Sequence, residues 1–298
     1  MRVGTPILLH STNVSKSRTG AAFFLRGGNH PAFRVESCLQ EQRSCFCTTV
    51  DDMPVLNLAA YRFWPIPDPQ ATLETLKAAG RALGVKGTLL ITPEGLNAFL
   101  AGGEKSCRDM LDTLRAVPGF ADLQAKESWS EQVPFKRFKV KVKKEIIRMD
   151  HPTICPAEGR APAVDAKTLA RWLDQGCDDA GNAVVMLDTR NDFEVDYGRF
   201  ENAIDWRIKK FTEFPQAVQA HRNELQGKTI VSYCTGGIRC EKAALYLHEL
   251  GLNNVVQLDG GILKYFEQTN GRHWQGNCFV FDEREALEPS LSPSKPGA

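Results

Sequence analysis

The spacing of apolar residues divides the chain into segments of two kinds. Residues 55–63, 87–92 and 96–100 crowd apolar side chains into short runs, as strands do, while 69–83 repeats its apolar positions at helical spacing. Pro93-Glu94-Gly95 separates the second and third runs as a turn. A second helix over about 104–117, stopped by Pro118-Gly119, and a strand near 122–127 complete the order βαββαβ. That order predicts a small α+β domain of ferredoxin-like (acylphosphatase-like) type over 53–150, a fold that hosts many functions and by itself names none.

From Asp165 the pattern changes to helices alternating with apolar strands. A helix to Gln175 is followed by AVVMLD (183–188), a helix around 214–224, TIVSYC (229–234), helix EKAALYLHELG (241–251) and VVQLDGG (255–261). Short Val- and Ile-rich runs joined by helices predict an open parallel α/β sheet with its ligand site at the carboxyl ends of the strands. The Pro- and Gly-rich stretch 151–164 reads as a linker, and His151 and Cys155 within it lack the second ligand pair or orienting acid that a metal or catalytic site needs. The polar Pro/Ser-rich tail 285–298 reads as disordered, leaving 165–284 for the second domain and its C-terminal extension.

Composition narrows the functional classes. The 298 residues allow two domains, and 42% hydrophobic with 24% charged residues exclude a fibre or a wholly disordered chain. Thirty-seven basic against thirty-six acidic residues leave a net charge of +1, so a nucleic-acid or membrane partner must be sought in a local patch. No apolar run approaches the roughly 18 residues of a membrane span, so no membrane association is expected. Nine cysteines, an odd number, argue for reduced thiols in a cytoplasmic setting rather than a disulfide framework. Residues 1–52 read either as a disordered extension or as a mispredicted start upstream of Met53; Cys38, Cys45 and Cys47 there lack a second pair of zinc ligands.

Two segments carry candidate chemistry. In FKRFKVKVKKEII (135–147), Lys139, Lys141 and Lys143 alternate with Phe138, Val140 and Val142, giving a strand with one basic and one apolar face. Such lysines either protect a sheet edge or contact phosphate. The second segment, Tyr233-Cys234-Thr235-Gly236-Gly237-Ile238-Arg239-Cys240, lies where a strand ends and a helix begins. Its glycines let successive N–H groups converge on the Cys234 sulfur, the helix adds the positive end of its dipole and Arg239 adds charge, all favouring a reactive thiolate. Cysteine phosphatases place arginine six positions after the nucleophile; here it stands at five, a tighter cradle that excludes that chemistry. Cys240 could resolve an oxidised Cys234 but is read first as a packed helix residue, and Cys107 and Cys177 as ordinary helix and loop residues.

LDTRNDFEVDYGRFENAI (187–204), YCTGGIRCEKAALYL and VVQLDGGILKYFE resemble a rhodanese domain. Together with PEGLN (93–97), the KVKVKKEI strand and WQGNCFVFDER (274–284), they resemble the tRNA uridine hydroxylase family. The resemblance implies a rhodanese-like second domain and oxygen-dependent conversion of the wobble uridine of tRNA to 5-hydroxyuridine, with Cys234 as the active-site thiol and loop residues Thr235, Gly236, Gly237, Ile238 and Arg239 around it. It implies tRNA, through its anticodon region, as partner, and favours Lys139, Lys141, Lys143 and Lys144 as phosphate contacts over a bare edge strand. Asp188 and Arg190 are then structural support, and Cys278 falls in a family motif without a derivable role. No flavin or nicotinamide fingerprint and no iron triad is evident, so the expectation is molecular oxygen as co-substrate with no tightly bound cofactor or metal. The resemblance implies a family whose members often continue into a cysteine-bearing tail, and the residues after Arg284 contain no cysteine, a departure that puts any function of that tail in doubt. The loop alone also suits a sulfurtransferase carrying a Cys234 persulfide, and a non-enzymatic RNA-binding module is a third reading. Protein partners are not legible.

Overall fold

The computed structural model describes residues 54–294; the expectations for 1–52, including Cys38, Cys45 and Cys47, lie outside the described residues. β1 (Val55–Phe63), α1 (Pro69–Ala82), β2 (Lys86–Thr92), β3 (Gly95–Gly102), α2 (Glu104–Arg115) and β4 (Ala125–Ser130) form the βαββαβ unit, with antiparallel strand order β4-β1-β3-β2. Asp68 starts α1 by accepting the Ala71 N–H at 2.9 Å, and Pro69 occupies the first turn, where a missing donor costs nothing. A fifth strand, β5 (Phe138–Val142), pairs parallel to β2 at the sheet edge.

Strand alternation gives this sheet two unlike faces. Leu56, Leu58, Leu89, Ile91, Leu96 and Leu100 pack against Leu73, Leu76, Met110 and Leu114 of the helices. The other face presents Asn57, Tyr61, Thr88, Leu90, Asn97 and Phe99 to a cavity. Because Thr88 pairs with Lys139 and Leu90 with Lys141, two lysines of β5 stand on that second face.

The second domain contains β6 (Ala163–Val164), α3 (Ala166–Gln175), β7 (Val184–Asp188), α4 (Asp192–Val195), β8 (Gly198–Phe200), α5 (Phe214–His221), β9 (Thr229–Tyr233), α6 (Ile238–Glu249), β10 (Val255–Leu258) and α7 (Gly261–Thr269). Its parallel sheet runs β6-β10-β9-β7. Leu187, Ile230 and Val255 pack with Phe214, Val218, Ala243 and Leu247 on one side; Met186, Val231 and Leu258 pack with Leu169, Ile262, Tyr265 and Phe266 on the other. A sheet apolar on both faces explains why its strands read as continuous apolar runs.

Two expectations need correction. The stretch 151–164 is no free linker: Ile154 and Ala161 are buried, and Ala163–Val164 is the edge strand of the parallel sheet. Residues 285–294 are folded onto the domain. After β11 (Trp274–Gly276), which pairs with β8, comes β12 (Cys278–Phe279), and β13 (Ala286–Leu287) pairs with it with both residues buried. In both segments a proline-rich composition masked the few apolar residues whose docking holds the segment.

Candidate active site

The five residues of β9 are all buried, and Cys234 follows them at the carboxyl edge of the sheet, itself with no exposed surface. The chain then turns through Thr235, Gly236 and Gly237 into α6, with Gly237 at φ +97°, a conformation that favours glycine. This turn aims the Gly237 N–H at Cys234 Sγ, 3.1 Å away. The loop is fixed from below by α7: Ile262 N–H donates to the Cys234 carbonyl at 3.0 Å and Leu263 N–H to that of Thr235 at 3.2 Å. A Cβ on Gly261 would lie 2.5 Å from the Cys234 carbonyl oxygen and 2.6 Å from Gly237 N, so the second glycine of VVQLDGG is demanded by this contact.

Burial pushes the Cys234 thiol upward, but the Cys240 thiol, the Arg239 charge and the backbone N–H groups of Arg239 and Cys240 outweigh it and bring the group down to about 5. Cys240 moves the opposite way, raised by burial and by its hydrogen bond to Cys234. The two shifts run in opposite directions and favour the negative charge on Cys234, whose sulfur accepts the Gly237 N–H, over Cys240.

Arg239 does more than supply charge. Its guanidinium clamps Glu194, Nη1 to Oε2 at 2.5 Å and Nη2 to Oε1 at 2.7 Å, with both side chains buried. Glu194 Oε1 also accepts the Thr235 hydroxyl at 3.4 Å, and Oε2 the Asn191 N–H at 3.1 Å. Asp188 and Arg190 form a fully buried pair at 2.6 Å, and Arg190 extends to the carbonyls of Glu194 at 3.2 Å and Gly198 at 2.7 Å. That pair braces the segment presenting Glu194 and does not line the cavity.

Between the Cys234 loop and the open face of the first domain's sheet lies a cavity of about 560 Å³. Tyr61, Asn97 and Phe99 belong to its floor, and Cys234, Thr235 and Arg239 to its opposite wall. Lys126 of β4 reaches across to donate to the Gly236 carbonyl at 2.7 Å. Burial lowers its ammonium group to about 8 against the opposing pull of the Cys234 charge. The site thus joins a cysteine favoured as thiolate, a cation and a partly apolar sheet face around one cavity.

Comparison with known proteins agrees with this architecture. The UPF0176 acylphosphatase like domain matches residues 55–146 and the rhodanese-like domain residues 166–268. A tRNA uridine(34) hydroxylase of Variovorax paradoxus is 60% identical over 238 residues, covering 80% of this chain and 90% of that protein. Proteins of the same name from Bordetella petrii and Bordetella avium are 61% and 58% identical over 241 residues, spanning 80% and 81% of this chain and 95% and 100% of theirs. The chain belongs to the tRNA uridine(34) hydroxylase family.

The motifs that suggested this family meet in space at the joint between the domains. Lys242, 2% exposed, pairs with Glu94 of PEGLN at 2.9 Å and with Glu145 of KVKVKKEI at 2.7 Å. Glu241 accepts from Tyr61 Oη at 2.9 Å and pairs with Arg160 at 3.3 Å. Arg284 of the terminal motif pairs with Asp282 at 2.6 Å and donates to Ser128 Oγ on β4 at 2.9 Å. Lys139, Lys141, Lys143 and Lys144 are exposed and lie apart from the Cys234 pocket, the first two on the sheet face that continues its floor. Sequence reasoning missed Glu194, Lys126, Tyr61 and Glu241. A hint existed only for Glu241, which follows the cysteine loop directly; the others come from elements whose proximity no local pattern announces. Cys278 is buried, pushed up to about 12 by burial, and Cys107 to about 11 for the same reason, so neither is poised as a thiolate.

Proposed function

We propose that this enzyme converts the wobble uridine of tRNA to 5-hydroxyuridine with molecular oxygen as co-substrate, Cys234 being the reacting thiolate and the anticodon loop the region bound. The observation that carries the reading is the placement of a low-pKa Cys234 in a cavity floored by a sheet face with Lys139 and Lys141 beside it. A thiolate is a soft nucleophile, and C6 of uracil is the carbon open to conjugate addition. Forming the S–C6 bond would shift the C5–C6 π electrons toward C5 and O4; C5 then takes one oxygen atom of O2 while an external two-electron donor reduces the other to water, and loss of the C5 proton with expulsion of the Cys234 thiolate from C6 restores the C5–C6 double bond. Arg239 and the loop N–H groups hold the thiolate charge, while the β5 lysines neutralise phosphates of the loop whose base enters the cavity.

No tightly bound redox cofactor enters this proposal, and tRNA as substrate supports a cytoplasmic site of action. The test is nucleoside mass spectrometry of tRNA from cells lacking the gene, complemented with wild type or Cys234→Ala. Restoration of 5-hydroxyuridine by wild type alone is the expected result. Levels independent of the gene would overturn the reading and return the Cys234 persulfide sulfurtransferase to first place. Purified enzyme assayed with and without oxygen and analysed for stoichiometric iron checks the co-substrate and cofactor claims.

A further inference from the structure

The hairpin joining β12 to β13 presents an aromatic surface that borders the Cys234 cavity and extends beyond it. Phe281 is 54% exposed and Phe193 is 42% exposed, and Phe279 lies between them with ring centroids 5.1 and 5.2 Å away. The hairpin is firmly held: Val280 N–H donates to the Glu285 carbonyl at 2.9 Å, Glu283 N–H to that of Pro134 at 3.1 Å, and Arg284 ties Asp282 to Ser128. An apolar ring kept in water by an anchored turn loses burial free energy unless something covers it.

The position of the ring indicates what does. Phe281 lines the Cys234 cavity and also an adjoining cavity of about 470 Å³, whose other walls include Phe135, Lys136, Arg137 and Lys139. Lys136 is engaged by Glu283 at 3.7 Å, while Arg137 and Lys139 have no carboxylate partner among the described residues. Exposed aromatic faces flanked by cations are the chemistry that binds single-stranded nucleic acid, with rings stacking on bases and cations meeting phosphates. We propose that Phe281, with Phe193 beside it, stacks unpaired bases adjacent to the uridine that enters the cavity, Arg137 and Lys139 contacting their phosphates. The proposal rests on the tRNA reading above and names the surface that holds the loop open.

The test uses the full-length protein and a fluorescein-labelled anticodon stem–loop RNA, with affinity measured by anisotropy. Phe281→Leu, which keeps an apolar side chain but removes the π face, is expected to weaken binding by about 5- to 150-fold, and Phe281→Trp to retain it. Abasic substitution next to the wobble position should weaken wild-type binding by a similar factor and leave Phe281→Leu little changed further. Urea unfolding at the wild-type midpoint shows that the variants are folded. Wild-type affinity in Phe281→Leu, equal weakening by Leu and Trp, or no stem–loop binding by wild type would each overturn the platform. The two readings fail separately: base-dependent binding without any 5-hydroxyuridine formed would leave the platform standing and remove the hydroxylase, and normal hydroxylation with unchanged affinity and KM in Phe281→Leu would do the reverse.

Discussion

Replacing Lys242 by methionine tests whether the interdomain ion pairs hold the catalytic cleft together. Lys242 is 2% exposed, and its Nζ lies 2.9 Å from Glu94 Oε2 and 2.7 Å from Glu145 Oε2, both on the first domain, whose side chains are each 22% exposed. At such separations each attraction is worth about 6 kcal/mol at an effective dielectric near 20, offset by the desolvation of all three groups. Methionine keeps most of the side-chain volume but leaves two carboxylates facing each other without a cation. Breaking a buried pair in this way costs about 3–5 kcal/mol, and the partial exposure of both carboxylates places the expected loss at the lower end, about 3 kcal/mol. The assay is urea unfolding followed by tryptophan fluorescence, with Trp64 and Trp129 reporting on the first domain and Trp172, Trp206 and Trp274 on the second. We expect Lys242→Met to unfold in two separated transitions where wild type shows one, and the added changes Glu94→Gln and Glu145→Gln to restore most of the loss. A single transition shifted by less than about 1 kcal/mol in Lys242→Met would refute the reasoning.

Alkylation of Cys234 by iodoacetamide should be constant above about pH 6 and fall with a midpoint near 5, whereas Cys240→Ala, which removes a donor to the thiolate, should move that midpoint upward. Because the folded thiol ionises below its unfolded value of about 8.5, it contributes stability that is fully present above that value and is lost as pH falls to about 5. Urea midpoints of wild type relative to Cys234→Ala should therefore rise between pH 5 and 8.5. Gly261→Ala forces a Cβ to 2.5 Å from the Cys234 carbonyl at φ +70°, and combined strain and overpacking of about 2–5 kcal/mol should appear as a lowered Tm with slower Cys234 alkylation. Lys139→Ala with Lys141→Ala should weaken stem–loop binding and reduce its dependence on log salt concentration by about 1 per lysine removed, leaving Tm unchanged; an unaltered slope would return these residues to edge protection.

The sequence by itself determined the βαββαβ order of the first domain, β7, β9 and β10 of the second, the Cys234 turn and the basic face of β5, because each depends on local spacing: period two in strands, helical period in helices, and glycine where a loop must curl; α4, β8 and α7 were not read from it. It also flagged the motifs whose combination points to the family. What tertiary structure decided is how those motifs act on one another. Glu94 sits in a turn and Glu145 follows an edge strand, and nothing in their local sequence shows that Lys242, roughly a hundred residues or more away, needs both of them. Arg239 was legible as a charge near Cys234, but its buried clamp on Glu194 depends on α4 folding beside α6. The folded stretch 285–294 was hidden for a related reason, since β13 exists through pairing with β12 and has little strand signal of its own. Local patterns encode backbone geometry, whereas burial, ion pairing and the pKa of Cys234 arise only when distant segments exclude water together.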